Sequence, residues 1–152
     1  MADIPLPADL PSVLADYERR LRALETRPQI PLRVAYGPTQ NITNTSWAVL
    51  PNGPSLTVNI GPSRLAYVTV VSDMGLNQAN QTGYLGFYTG SVFFPTGWMS
   101  ITSGISTFTA GTVGVTRLAY NLPVGPVTFT VAGFVSTGNV NFSNTDITVQ
   151  PI

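Results

Sequence analysis

Apolar residues follow two different periods along this chain, and the change falls near residue 30. Between about Leu10 and Thr26 they are spaced alternately by four and three residues, which is the a/d rhythm of a coiled-coil seam. The predicted oligomerisation seam consists of Leu10, Leu14, Tyr17, Leu21 and Leu24. Pro28 closes the segment because proline cannot continue a helix. The sequence therefore predicts a short amphipathic helix that follows an extended leader.

The seam has two interpretations: it contacts the seams of other copies, or it lies on the chain's own domain. The stripe is narrow and its surroundings are charged, with Asp16 four residues before Arg20 and Glu18 four residues before Arg22. This favours contact between copies. A helix of about two and a half heptads is too short to hold chains together alone. We therefore expect it to align copies that also associate through a neighbouring domain.

Beyond Pro31 the helical period disappears, and short apolar runs alternate with Gly, Pro, Asn and Ser, which is typical of strands joined by turns. The predicted strands are Leu32–Tyr36, Trp47–Leu50, Leu56–Ile60, Arg64–Ser72, Gly83–Thr89, Trp98–Thr102, Val113–Asn121, Val127–Ser136, Val140–Ser143 and Asp146–Val149. Many strands without intervening helices predict a mainly β fold, an antiparallel β-sandwich or jelly roll. The predicted domains are the leader with its helix (1–30) and the sandwich (31–152).

One predicted strand is apolar on both of its faces. Leu65, Tyr67 and Val71 share one face, and Ala66, Val68 and Val70 share the other. A sandwich strand needs only one apolar face for the core of its own domain, so a neighbouring subunit is expected to cover the second. The candidate subunit interface consists of Ala66, Val68 and Val70.

Charge is concentrated at the N-terminal side of the chain. Of seven basic and seven acidic residues, the only ones after Val34 are Arg64, Asp73, Arg117 and Asp146, and the chain has no His, Lys or Cys. Most enzyme mechanisms use such side chains to move protons, attack substrate or hold metal. We therefore expect a module that packs and assembles, with no catalytic residues, no cofactor and no thiol chemistry.

The same composition limits the kinds of partner that we expect for this chain. A neutral chain with 9% charged residues is expected to associate with itself or to join a larger particle. There is no basic patch for nucleic acid after the first segment, no apolar run long enough for a membrane and no visible signal peptide. A polar loop that starts at Asp73 could offer oxygens to Ca²⁺, but one carboxylate is a poor start, and a solvated loop is favoured. No metal site is expected.

Aromatic residues offer a candidate surface for a ligand. Trp47, Trp98 and the run Phe93-Phe94-Pro95 either fill a core or subunit interface, which is the commoner use, or form a platform on which a sugar stacks. The candidate residues of a surface-ligand loop are Phe93, Phe94 and Trp98.

Four stretches in order resemble a known class of protein. They are the charged heptad helix at 10–24, Gly-Pro-Ser-Arg-Leu-Ala-Tyr-Val-Thr-Val at 61–70, Leu-Pro-Val-Gly-Pro-Val-Thr-Phe-Thr at 122–130, and the closing stretch at 142–152. The chain resembles small structural proteins, of the minor tail or head-decoration type, of tailed phages that infect actinobacteria. The resemblance implies a trimeric virion component with a β-sandwich head and an N-terminal attachment segment. Its partners would be its own copies and the phage's major capsid or tail proteins, after synthesis in the host cytoplasm.

A hypothesis from a different class is a receptor- or carbohydrate-binding module of the virion that recognises a glycan of the bacterial surface. It shares the fold and the oligomer with the structural protein, and it differs in needing an exposed ligand surface. An enzyme is a third hypothesis, which the missing bases and nucleophiles disfavour.

Overall fold

The chain forms one helix and ten strands within residues 10–25, 32–36, 39–100 and 109–152, the ranges that a computed structural model describes. The elements are α1 Leu10–Glu25, β1 Leu32–Tyr36, β2 Gln40–Ile42, β3 Ala48–Val49, β4 Ser55–Ile60, β5 Ala66–Leu76, β6 Thr82–Tyr88, β7 Phe93–Ser100, β8 Thr109–Ala119, β9 Gly125–Val135 and β10 Val140–Pro151. The strand pairs are antiparallel. The predicted antiparallel β-sandwich, preceded by a short helix, is confirmed.

Two five-stranded sheets make the sandwich. The first has the order β1-β10-β5-β8, and β2 also pairs with β10. The second has the order β3-β9-β6-β7, and β4 also pairs with β9. Two short strands therefore lie end to end along each of the long strands β10 and β9. On the opposite side of the sandwich, each sheet ends in a single strand, β8 or β7.

The core lies between the sheets because alternate residues of the long strands point inward. Along β9, Val127, Phe129 and Val131 are buried while Thr128 is exposed. The largest fully buried apolar side chains are Phe87, Phe129, Phe142, Leu50, Met74, Leu76, Leu85 and Ile147. Full burial of one such side chain contributes roughly 1.5–3 kcal/mol. This core holds the sandwich together without a disulfide, since the chain has no cysteine.

The last two predicted strands are one strand. Val140–Ser143 and Asp146–Val149 were predicted separately, and the structure joins them in β10, with a register shift between Ser143 and Asp146. Asn144 lies in this irregularity with a φ of 48°, a left-handed conformation that asparagine tolerates better than most residues. The polar stretch that looked like a turn is therefore a bulge within a continuous strand.

The sandwich has two distinguishable ends. The base end consists of the start of β1, the segments 61–67, 89–92 and 118–124, and the last residues 150–152. The strand register gathers most of these segments, because Ala66 pairs with both Pro151 and Ala119. The polar end consists of the loops 43–46, 77–81 and 136–139, which lie together because Val140 pairs with Leu76.

Candidate functional site

The apolar stripe of α1 is exposed. The exposed fractions of Val13, Leu14, Tyr17 and Leu21 are 42%, 56%, 61% and 57%. Leu10 is half-buried, and the side chain of Leu24 lies outside the described residues. Val13 was not predicted and widens the stripe on one side. The interpretation that places the seam on the chain's own sandwich does not fit these exposures, so these residues need a partner if they are to be buried.

The charged side of α1 is organised around Asp16. Its carboxylate pairs with the guanidinium of Arg19 and lies 2.8 Å from Nε of Arg20. Exposed pairs of this kind contribute little stability, typically less than about 1 kcal/mol. They fix the polar side of the helix and leave the apolar stripe on the other side.

The predicted subunit interface on β5 requires a correction. Ala66, Val68 and Val70 are 0% exposed, and they belong to the core of the chain's own sandwich. The face of β5 that is available to a neighbour is the other one, where Tyr67 is 48% exposed. The alternation located the strand but not its direction, because both faces are apolar and period-2 patterns do not say which one is inside.

Five aromatic side chains form one continuous surface on the outside of the second sheet. This aromatic face consists of Trp47, Tyr84, Tyr88, Phe93 and Phe134, all half-buried. Tyr84 and Phe134 stack with centroids 4.1 Å apart, and Tyr88 and Phe93 stack at 4.4 Å. Trp47 joins the two pairs, at 4.9 Å from Phe134 and 6.1 Å from Phe93. The two spacings to Trp47 lie within the range of roughly 4.5–7 Å that aromatic pairs prefer, and the two stacked pairs are slightly closer.

The local sequence of β6 makes room for the tryptophan. Tyr84, Gly86 and Tyr88 point outward, while the residues between them point to the core. A Cβ atom at Gly86 would lie 2.9 Å from the ring of Trp47 and 2.4 Å from the backbone oxygen of Phe94. Only glycine therefore lets the indole lie across β6 between the two tyrosines.

The predicted surface-ligand loop lies within strand β7, so its residues face opposite sides of the sheet. Phe93 lies on the aromatic face, whereas Phe94 points the other way, stacks on Phe87 at 4.9 Å and packs against the core. The backbone of Trp98 pairs with Tyr84 in β7, and its side chain is outside the described residues. Phe94 is thus corrected from a ligand residue to a core residue, because neighbours in a strand face opposite sides.

The sequence interpretation missed Tyr84, Tyr88 and Phe134. The signal for the two tyrosines was present, since Tyr-x-Gly-x-Tyr puts both on one side of the strand predicted at Gly83–Thr89. Phe134 could not be added without the register, which pairs it with Tyr84 across β6 and β9. The face combines residues from distant parts of the chain.

A flat group of half-exposed rings offers apolar area and no charge. Such rings stack on other flat apolar faces, including the C–H faces of sugar rings, and on aromatic or aliphatic protein surfaces. The phenol of Tyr88 donates a hydrogen bond to the backbone oxygen of Gly90 at 2.6 Å. That bond fixes the orientation of the ring. The aromatic face is therefore suited to binding and contains no group that would activate a nucleophile.

A shallow groove of about 560 Å³ lies between the neighbouring edges of β7 and β8. Its walls include Pro95, Gly97 and Val113, and its charged group is Arg117. Nε of Arg117 donates a hydrogen bond to the backbone oxygen of Pro95 at 3.0 Å. The groove thus brings one cation, already bonded to the chain, next to mainly apolar walls, and it holds no acid–base pair.

Asp73 is in β5 and not in a loop. Its carboxylate accepts hydrogen bonds from Oγ1 of Thr112 at 2.6 Å and from Nδ2 of Asn144 at 2.7 Å. These two bonds, the one from Thr112 first, lower the pKa of Asp73 below its usual value. Within the described residues, no three His, Cys, Asp or Glu side chains come together. No described helix combines the length and the hydrophobicity that a bilayer crossing requires.

Comparison with known proteins supports the fold alone. No protein-family model matches the sequence, and no curated protein matches it. The fold is similar to a structure described as Eiger TNF from S. frugiperda, with a TM-score of 0.53 and 10% identity over 83% of this chain and 94% of that chain. A structure of infectious bursal virus derived T=1 particles matches with a TM-score of 0.49 and 9% identity, over 82% of this chain and 32% of that chain. The second likeness is too distant to support a further comparison.

Proposed function

We propose that this chain is a non-enzymatic structural protein of a tailed bacteriophage virion, a head-decoration or minor tail component, which assembles as a homotrimer on the particle. The observation that carries the proposal is the exposed apolar stripe of α1, since Leu14, Tyr17 and Leu21 are each more than half exposed in the single chain. An apolar stripe on a helix whose other side is charged is buried most simply by the same stripe of other copies.

The composition of the sandwich supports an assembled state. A domain with few surface charges and no basic patch is poorly suited to remain a dispersed monomer. The phage class, the trimer and the attachment role of residues 1–30 rest on the resemblance of four sequence stretches to virion proteins. In the proposed particle the helix sets the register between copies, and the sandwich projects outward or bridges neighbouring subunits.

The self-association is tested by light scattering of the purified chain at micromolar concentration. We expect a trimer for the wild type, and monomers for Leu14→Asp combined with Leu21→Asp, because carboxylates cannot be buried in a seam without partners. The matched control is Ser12→Asp with Ala15→Asp, which adds the same two charges outside the seam and should remain trimeric. A monomeric wild type, or a trimeric seam variant, would contradict the proposal.

A second candidate function is a carbohydrate-binding module of the virion, and the aromatic face is the observation that favours it. Five adjoining half-exposed rings without charge are an arrangement on which sugar rings stack. The expected ligand is a glycan of the bacterial surface, and Trp47 is the central ring because it contacts both stacked pairs.

Pull-down on purified bacterial cell-wall polymer separates the two functions. If the face binds glycan, Trp47→Ala should lose the binding while the far-ultraviolet circular dichroism stays that of the wild type. Val115→Ala is the control, because Val115 is an exposed residue on the other sheet that belongs neither to the aromatic face nor to the base end. Wild-type protein that passes unretained over the polymer would remove this second function and leave the structural one.

A further inference from the structure

The exposed large apolar side chains of the described residues are not spread evenly. They are Val13, Leu14, Tyr17 and Leu21 on α1, Leu32, Tyr67, Val92, Leu118, Tyr120, Val124 and Ile152 at the base end, and Val49 and Val115 elsewhere. The base end therefore carries seven of thirteen, and the polar end carries none. We infer that the base end is a self-association surface, which the base ends of other copies cover, and this inference rests on the proposed homo-oligomer.

The register shows that these residues share one end of the molecule. Tyr67 and Leu118 are cross-strand partners in β5 and β8, and the backbone N–H of Ile152 donates to the oxygen of Leu65 at 3.2 Å. Val92 belongs to the hairpin between β6 and β7, and residues 88–90 of this hairpin line a common groove with residues 123 and 126–128.

The stripe of α1 is too small to hold the oligomer by itself. Its four exposed side chains offer on the order of 400 Å² in total, about half of the roughly 800 Å² per partner that stable interfaces bury. The seven side chains of the base end add on the order of 600 Å², which brings the sum into the range of a specific interface. The exposed apolar area is thus sufficient for a stable interface with a second copy only when both the α1 stripe and the base end are buried.

Chain connectivity brings the two surfaces together. β1 enters the sandwich at the base end, where Leu32 pairs with Val149. Glu25, the last residue of α1, precedes Leu32 by seven positions, so the backbone keeps the end of the helix within about 25 Å of the base end. Copies aligned along α1 can therefore bring their base ends within reach of one another.

Few charged residues lie at the base end. Arg64 lies at the base end and Arg117 beside it, and each donates through Nε to a backbone oxygen of its own chain, Leu122 at 2.8 Å and Pro95 at 3.0 Å. Side chains held in this way leave the apolar residues around them free to meet an identical surface. A partner that binds through charge would need a larger group of side chains with the same sign of charge.

Sedimentation equilibrium of the full chain tests the inference. Val124→Asp with Ile152→Asp changes two side chains that are 64% and 53% exposed and lie outside the strand interiors. We expect the association constant to fall at least about tenfold, because each carboxylate would be buried without a partner. Val49→Asp with Val115→Asp is the matched control, since these two exposed valines belong to neither surface, and its constant should stay within about twofold of the wild type.

The outcomes separate the inference from the proposal beneath it. A monomeric wild type overturns both. A wild-type trimer that the seam variant dissociates, but that the base variant leaves unchanged, overturns the base-end inference alone. If the aspartate variant does not fold, Val124→Ser with Ile152→Ser replaces it, with a smaller fall of the association constant in the same direction as the expected result. An unchanged constant for a folded serine variant also overturns the inference.

Discussion

The two ends of the sandwich differ in what their loops leave exposed to solvent. At the polar end, the buried side chain of Gln81 uses all of its hydrogen-bonding capacity within the chain. Its Oε1 accepts from the backbone N–H groups of Asn77 at 2.9 Å and Gln78 at 3.2 Å, and its Nε2 donates to the backbone oxygens of Thr137 at 2.7 Å and Asn139 at 2.6 Å. At the base end, hydrogen bonds also hold the loops, but apolar side chains remain outside.

The difference shows where this chain leaves apolar area exposed to water. The loops 43–46 and 77–80 are exposed and rich in Asn, Thr and Ser, so water satisfies them. The base end exposes Val124, Tyr120 and Ile152, each by more than half, and water does not compensate apolar area. The polar groups of the polar end are satisfied within one chain or by water. The exposed apolar side chains of the base end would be covered only if another surface packed against them. Substitutions at the two ends therefore separate stability within one chain from association.

Gln81→Ala should have the largest effect on stability. It leaves two backbone N–H groups and two backbone oxygens without their partner, and each unsatisfied buried group costs about 1–3 kcal/mol. Water can reach part of the vacated site, so we expect the free energy of unfolding to fall by about 3 kcal/mol, measured by urea denaturation.

The matched control for this change is Gln150→Ala, at an exposed position of β10. It should alter the free energy of unfolding by less than about 0.5 kcal/mol. Equal effects of the two substitutions would show that the polar end does not depend on the buried amide. Gln81→Ala should not change the association of the base ends, if the two ends are independent.

Arg64 allows an intermediate test at the base end. Its φ is 59°, its Nε donates to the oxygen of Leu122, and its own oxygen accepts from the N–H of Leu122 at 3.1 Å. Arg64→Ala keeps the left-handed conformation and loses the side-chain bond, so we expect a loss of about 1 kcal/mol. Arg64→Gly loses the same bond but relieves about 1 kcal/mol of backbone strain. The glycine variant should therefore be close to the wild type in urea denaturation.

The two variants of Arg64 are each other's control. If glycine and alanine destabilise equally, backbone strain at residue 64 is negligible. If neither destabilises, the bond to Leu122 contributes nothing, and the base-end loops are held by backbone contacts alone.

Most strands of this protein could be predicted from alternation, although β2 was missed and only the end of β7 was predicted. The mutual placement of the strands could not be predicted. Leu32–Tyr36 coincides with β1, because an alternating run bounded by prolines and glycines has few other solutions. The inward face of β5 was predicted wrongly, since Ala66 and Tyr67 are both apolar enough to be buried. The smaller side chain, Ala66, is buried in the core. Tyr67 lies on the solvent-exposed face, where its hydroxyl needs no buried partner.

The surfaces that carry the proposals depend on register, which a single sequence does not contain. The α1 stripe was predicted because its spacing is local to one helix. The aromatic face joins Trp47 to β6, β7 and Phe134 of β9, over separations of up to 87 residues (134 minus 47). The base end joins Tyr67 to Leu118 and Ile152, over up to 85 residues (152 minus 67). Local patterns specify such residues as exposed or buried, but only the pairing of strands shows that they adjoin.

The smallest expected effect concerns Asp73, which lies toward the polar end of the first sheet and makes the stability of that region depend on pH. Hydrogen bonds from Thr112 and Asn144 lower the pKa of the Asp73 carboxyl in the folded chain. The unfolded chain then binds more protons at acid pH, so this contribution to stability is complete above the unfolded pKa of about 3.9 and is lost as pH falls through the folded pKa.

Asp73→Asn should therefore make the fall in the urea midpoint below about pH 4 less steep than in the wild type. Thr112→Val removes the larger of the two causes and should produce part of the same change. Because Asp73 lies far from residues 118–124 along β8 and its loop, neither substitution should alter the association constant at neutral pH. An acid slope unchanged in both variants would show that the two hydrogen bonds form equally well with the protonated carboxyl. A changed association constant would show that the first sheet couples its two ends, contrary to the independence on which the other tests rely.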